Sequence, residues 1–363
     1  KTSSFRTSSL SVNSPRNYAG NVNFKHVIDT TEQEITTDLD YARYSNNNVQ
    51  NYSTRYFKND GSPLQPDDIL RDNKNGALDI YSIKTDYLLP INKNGKFETG
   101  FKSSYVKADN NLRFYNIIND VPQFDTTKSN HFIYKENINA AYINLNKKYK
   151  KWNFQAGLRV ENTNYSGHQF GNKYTINNND SSFTRSYVNA FPTVYVSYQL
   201  NDKNSFSANF GKRIDRPDYG SLNPFLFFLD QYTYQAGNPY LQPQYTTNYE
   251  LSHTYNNFLT TTLNYSNTKN FFSETFEQEG HATIVRNGNI GRRENAGVSV
   301  SLNVPITKWW TSVLYTNLNY SHFSGILYGE NLDVSSTTLM GNLNNQFKFS
   351  KGLTKAYGRL HLF

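Results

Sequence analysis

The residues best equipped for recognition lie between Lys212 and Gln244. Arg213, Asp215 and Arg216 stand beside Tyr219, the apolar run Phe225-Leu226-Phe227-Phe228-Leu229 follows, and Tyr232, Tyr234 and Tyr240 come after it, with Asn223 and Asn238 between. Guanidinium groups present rigid forks of donors to carboxylates and phosphates, while tyrosine rings give broad contact area with a polar tip. Arg213, Asp215, Arg216, Tyr219, Asn223, Tyr232, Tyr234, Asn238 and Tyr240 are therefore the candidates for touching a ligand, or another folded segment that fills the same space. An architectural reading stands beside this one: Pro217, Pro224, Pro239 and Pro243 stiffen a long connection while its Arg and Asp side chains satisfy one another. A weaker set of charges shares strand faces elsewhere, namely Lys96, Glu98 and Lys102, and Arg159 with Glu161.

Catalytic chemistry has less to build on. The 7 histidines (His26, His131, His168, His253, His281, His322, His361) are far apart, with no two at ligand spacing. No catalytic residue, metal or cofactor is expected from them. Gly-rich phosphate loops and the Gly-x-Ser-x-Gly elbow are missing as well. A hydrolase would have to bring together His168 with Asp180, or His281 with Glu277 and Glu279, and ordinary loop polarity explains those residues equally well. The chain is accordingly read as a non-enzyme. With Cys 0, a disulfide framework and a thiolate site are excluded.

What positions these residues is a two-residue period. From Trp152 to Glu161, Trp152, Phe154, Ala156, Leu158 and Val160 point one way and Asn153, Gln155, Gly157, Arg159 and Glu161 the other, as on a pleated strand. The pattern recurs along the chain, so one face meets something oily and the other meets water. Aromatics reach 16% while hydrophobic residues total only 36%, with Tyr 29 and Phe 25 against Met 1. Tyr suits a lipid–water boundary better than a dry core. No stretch approaches 18 consecutive apolar residues, so a crossing helix is excluded and only a barrel could span a bilayer. An all-β fold follows, a transmembrane antiparallel β-barrel of the outer-membrane type, with lipid outside and a wet lumen. The net charge of +8 is scattered and forms no stripe, so no nucleic acid partner is expected; a polar lumen and loops near an anionic membrane surface account for it.

Turn signals divide the chain. A hairpin turns at Asp29 to Gln33, and another at Asn92-Lys93-Asn94-Gly95, where Asn and Gly tolerate positive φ. Further short turns fall at Lys147 to Lys151 and at Asn201-Asp202-Lys203-Asn204. Long polar connections are expected at Ser45 to Gly76, Ala108 to Asn130, Ser166 to Ser186 and Lys212 to Gln244. Later strands are expected at Tyr245 to Tyr255, Phe258 to Asn270, Thr283 to Val304, Trp309 to Phe323, Ser335 to Phe349, and from Thr354 on. This makes 14 strands, the last cut short. Pro192 removes a ladder donor and predicts a bulge or a local opening of the pairing. Trp309-Trp310 reads as an interfacial anchor, with carbohydrate stacking as the alternative. Short turns alternating with long excursions match outer-membrane barrels.

The segment Lys212-Arg213-Ile214-Asp215-Arg216-Pro217-Asp218-Tyr219, then Leu222-Asn223-Pro224-Phe225, Gly237-Asn238-Pro239-Tyr240-Leu241-Gln242-Pro243-Gln244-Tyr245 and Tyr249-Glu250-Leu251, resembles the barrel of TonB-dependent outer-membrane receptors. The likeness is strongest to the outer-membrane β-barrel family abundant in Bacteroidetes. Arg286-Asn287-Gly288-Asn289-Ile290-Gly291 running into Gly297 and Val298 is a second similarity, although Ser299 stands where those receptors often carry Glu. The resemblance implies about 22 strands, an N-terminal plug, and a segment that contacts TonB. Neither plug nor coupling segment is found, and the chain opens Lys-Thr-Ser-Ser-Phe with no secretory signal pattern. Residues 1–363 are thus read as an incomplete outer-membrane β-barrel domain, lacking the plug and final strands.

The implied partners are outer-membrane lipid and the TonB system. The implied location is the bacterial outer membrane. The leading expectation is a TonB-dependent receptor importing a scarce or large nutrient through a plugged barrel. Two others stay open: a passive outer-membrane pore, and a plugged barrel serving as a scaffold for a surface lipoprotein partner or assembly machinery.

Overall fold

The computed structural model describes residues 3–170, 181–230, 232–351 and 354–362, with backbone only for 3, 181, 226–229 and 349–362. The strands are β1 (Ser3–Val27), β2 (Glu34–Lys58), β3 (Asp68–Pro90), β4 (Gly95–Ile118), β5 (Val121–Tyr149), β6 (Trp152–Phe170), β7 (Ser181–Asn201) and β8 (Asn204–Asp215). Two short strands follow, β9 (Leu226–Asp230) and β10 (Thr233–Ala236). Then come β11 (Gln244–Tyr255), β12 (Leu259–Glu279), β13 (Ala282–Pro305), β14 (Trp310–Leu327), β15 (Glu330–Lys351) and β16 (Thr354–Leu362). Leaving aside β9 and β10, 14 strands run as one antiparallel meander from β1 to β16, which form its two edges. The expected strand count is met.

The short turns gather at one end. Asn92 (φ 62), Lys150 (φ 50), Asn256 (φ 49) and Asn257 (φ 58) take the left-handed backbone there, and Asn reaches it at lower cost than most residues. In the first turn Asp29 accepts from the Thr31 hydroxyl at 2.6 Å and the Thr31 amide at 2.8 Å. The hydroxyl bond in particular holds this carboxyl below the ordinary carboxylate range.

The other end corrects the expectation of long loops. Ser45 to Gly76 is mostly ladder, because β2 continues to Lys58 and β3 starts at Asp68. Ala108 to Asn130 is a hairpin too, its Ile118 paired with Val121, with one shift of register where Leu112 pairs with Asn130 and Phe114 with Asp125. Its two turn residues, Asn119 (φ 51) and Asp120 (φ 62), both sit at positive φ, as a tight type I′ turn requires. Most of Ser166 to Ser186 is strand too, but its centre, 171–180, lies outside the described residues, as does Asp180 of the pair imagined with His168. β5 is 29 residues long, far beyond the roughly 9–11 that cross a bilayer. The extra length is a β-walled extension standing above the membrane.

Pro192 sits opposite Leu158 in unbroken β6–β7 register, and the β7–β8 pairing ends beside it at Thr193. The local opening is found, without a bulge. Trp152, Phe154, Leu158 and Val160 are each 40% exposed, on the outer face. Rings tile that face, Trp152 against Tyr198 at 4.4 Å and Phe206 against His253 at 4.6 Å near the short turns, and Tyr41, Tyr81 and Tyr105 in series higher up. Trp309 is exposed and stacks on Trp310 at the short-turn end, while Trp310 donates to Asn345 at 3.0 Å, a placement suited to an interface anchor. The buried cluster lies on the opposite face of the extension: Tyr52, Ala108, Leu112, Phe114, Phe132 and Tyr134 from the wall, with Leu222, Phe225 and Leu241 from the β8–β11 connection.

Candidate functional site

The connection between β8 and β11 folds inward and is pinned to the inner wall at successive points. Arg216 donates to the Glu161 carboxylate at 2.7 Å and to the Thr163 hydroxyl at 3.0 Å. Tyr219 donates to Glu136 at 3.2 Å, and Tyr134 donates to the other oxygen of the same carboxylate at 3.3 Å. Leu222, Phe225 and Leu241 then enter the buried cluster. Burying these apolar groups beneath the charged bonds excludes water from them, and a charge-assisted bond in such surroundings contributes about 1.5–3 kcal/mol.

The far half is held by β13. β10 pairs in parallel with it, Thr233 opposite Thr283 through Ala236 opposite Arg286. Asn238 donates to the Asn287 carbonyl at 3.2 Å, Asn287 donates to the Ser221 hydroxyl at 2.9 Å, and Asn289 accepts from the Gln242 amide at 2.9 Å. Gly237 lies so close to the other limb that a Cβ there would fall 2.0 Å from the Asn223 carbonyl. Only glycine permits that approach. The two sequence segments singled out for their resemblance, around Arg216 and around Asn287, are therefore two sides of one clamp.

The nine candidates divide accordingly. Arg216, Tyr219, Asn223 and Asn238 are tied into the clamp, with Asn223 only 5% exposed. Arg216 bonds to Glu161 and not to its neighbour Asp215, whose carboxylate accepts from Gln244 at 2.8 Å. Mutual satisfaction of Arg and Asp within the loop is thus not how the segment is held. Arg213 is exposed on the inner wall. Tyr232, touching Phe5 at 5.3 Å, and Tyr234 line a hollow of about 750 Å³ with Tyr56, Asp68, Lys128 and His281. Tyr240 is 65% exposed and approaches Phe183 at 5.9 Å. His281 and Glu279 share that hollow, whereas Glu277 pairs with Arg286. Among the described residues no three metal-ligating side chains converge.

Sequence reasoning missed Glu136, Thr163 and Tyr134. The available signal was parity, since they share the inner face of β5 and β6 with Glu161, which was singled out. Lys102 and Arg159 do line the lumen, as their alternation predicts. Lys96 instead bonds Glu98 at 2.6 Å, and Glu98 also accepts from Asn144 at 2.9 Å.

Comparisons with known proteins agree with this architecture. The model of the outer membrane protein β-barrel family matches residues 26–356. The fold is similar to that of the ferric yersiniabactin uptake receptor FyuA of Yersinia pestis, with TM-score 0.55 and 14% identity over 91% of this chain and 50% of that one. It is also similar to the copper transporter OprC, with TM-score 0.56 and 12% identity over 96% of this chain and 58% of that one. The chain thus spans about half the length of these structural neighbours. No curated protein matches it in sequence. With its outward apolar belt, inner polar wall and 14-strand meander, the chain belongs to the outer membrane protein β-barrel family of the bacterial outer membrane.

Proposed function

We propose that the chain is the barrel of a TonB-dependent receptor, of the kind abundant in Bacteroidetes, that imports a scarce or large nutrient across the outer membrane. The observation that carries this reading is the clamp. The segment is pinned to the inner wall by Arg216, Tyr219 and Asn238, and an importer that must recognise a solute before releasing it needs such fixed walls around the solute. An uptake receptor and a copper transporter among the structural neighbours support the same direction. In this reading a plug domain fills the lower lumen, TonB pulls on it, and the clamp fixes the outer vestibule that a ligand enters.

The test is conductance of the purified full-length protein in a planar bilayer bathed in potassium chloride. A plugged importer gives no steady current and binds the purified periplasmic domain of TonB. A persistent open-channel current, with no TonB binding, would establish the passive pore and end the importer reading.

A further inference from the structure

The inner wall beside the clamp carries more positive charge than its own carboxylates neutralise. A hollow of about 760 Å³ is lined by Lys84, Lys102, Arg159, Lys212, Arg213 and Arg216, with Glu161 as the one carboxylate in its lining among the described residues. Lys84 and Lys102 stand directly opposite each other on β3 and β4, an arrangement that costs stability on a sheet. Asp86 relieves only one of them, taking Lys84 at 2.6 Å. Glu161 is shared by Arg159 and Arg216, both at 2.7 Å, and Glu136 also faces Arg216, so even with Asp86 three carboxylates stand against the six cations. Among the described residues, neither Lys102 nor Arg213 has a carboxylate within 4.0 Å. The Nε of Arg216, buried, has no hydrogen-bond partner among them.

Repulsion between aligned cations is tolerated when something else offsets it. A cleft walled by protein focuses its field and concentrates counter-charge, and guanidinium forks match carboxylate and phosphate oxygens two at a time. The volume falls within the roughly 300–1,000 Å³ of small-molecule sites. Tyr142, Asn144 and Thr193 add neutral polar groups, and Phe191, over which Arg159 lies at 5.3 Å, supplies an apolar floor.

We propose that this hollow binds a compact polyanion, a solute bearing several carboxylate or phosphate groups. The inference deepens the importer reading and depends on it only for passage of the solute, not for its binding.

Isothermal titration of the full-length protein in detergent tests it, with citrate, inorganic triphosphate and sucrose as probes. One or both anions should bind, sucrose should not, and raising the salt should weaken the binding. Binding of citrate alone identifies a carboxylate site, and binding of triphosphate alone a phosphate site. The double variant Lys102→Gln, Arg213→Gln should lower the affinity at least about tenfold and each single variant should weaken it by less, while Lys107→Gln, the loss of one cation on the outer face of β4, should leave it unchanged. Failure of both anions to bind, or equal binding by the double variant, overturns the proposal. If neither binds and the double variant instead melts at a lower temperature, the cations serve to seat an acidic protein surface, which also overturns it. Since no transport is measured, this result is independent of the conductance test.

Discussion

The lower and upper halves of β4 have opposite polarity. In the lower half Phe97, Phe101 and Tyr105 look outward while Lys96, Glu98 and Lys102 look inward; in the upper half Lys107, Asp109 and Arg113 look outward while Val106, Ala108, Leu112 and Phe114 look inward. β3 does the same: outward Ile83 and Tyr81 give way to Asp79, Asn75 and Asn73, and inward Lys84 and Ser82 give way to Ile80 and Leu78. The flip falls at Tyr81 and Tyr105, whose rings lie 6.4 Å apart. A strand changes phase in this way when both of its solvents change. Outside, hydrocarbon gives way to water at a ring of tyrosines suited to the interface. Inside, a polar lumen gives way to the folded β8–β11 segment. The clamp and the outer edge of the bilayer are thus recorded in one strand.

The comparison breaks most sharply on two phenylalanines of β4. Phe114 is 1% exposed within the clamp's cluster, and Phe101 is 47% exposed on the lipid face. Phe114→Ala should cost about 3–5 kcal/mol and open the β8–β11 segment to protease, as read by limited digestion and by thermal unfolding of the detergent-solubilised protein. Phe101→Ala should cost clearly less, because lipid tails or detergent fill the space it leaves. Equal losses would show that the upper cluster is not a dry core.

The second largest effect tests the outer solvent. Leu158, 40% exposed on β6, faces hydrocarbon, so Leu158→Arg should destabilise the protein folded in lipid vesicles by about 2 kcal/mol, the lower end of the range for barrels because the site lies above mid-span. If denaturant titration in vesicles shows no loss, the belt has been placed on the wrong face.

Much of this was readable from the residues alone. Trp152 to Glu161 gave its strand, both faces and its environment, because alternation with one oily and one polar side has few solutions. The upper halves of the strands were hidden by the same rule. When apolar residues move to the other face, a polarity pattern seen from one side looks as if it had ended, so Ser45 to Gly76 and Ala108 to Asn130 looked like loops. Asn119-Asp120 between Ile118 and Val121 was a hairpin signal nonetheless, of the kind that favours positive φ at both positions. For the site, residue types located the segment, and Gly237 and Asn238 carried the clamp in their motif. The partners of Tyr219, Arg216 and Asn238, respectively Glu136, Thr163 and Asn287, were set by strand register across 49 to 83 residues, which no local pattern records.

Gly237→Ala sharpens the comparison within the clamp itself. A Cβ 2.0 Å from the Asn223 carbonyl must push the two limbs apart, at the roughly 1–3 kcal/mol typical of overpacking. Among the described residues the atoms nearest that Cβ all belong to Asn223, within the clamp. The variant should therefore speed proteolysis between Arg216 and Gln244 while leaving the digestion of the membrane belt unchanged. Uniform loosening of the whole barrel would show instead that the clamp and belt unfold as one unit.

The smallest effect is expected where the upper half is most polar. Lys107 points outward from β4 two residues above Tyr105, pairing with Asp109 at 3.2 Å with both side chains more than a third exposed. An ion pair so open to water contributes little, and Lys107→Leu adds an apolar group where the bilayer has already ended. Stability should change by no more than about 0.5 kcal/mol in either direction, and by the same amount in vesicles as in detergent. If the leucine instead stabilised the protein only in vesicles, hydrocarbon would reach above Tyr105, and the boundary drawn from the polarity flip would have to move up the strand.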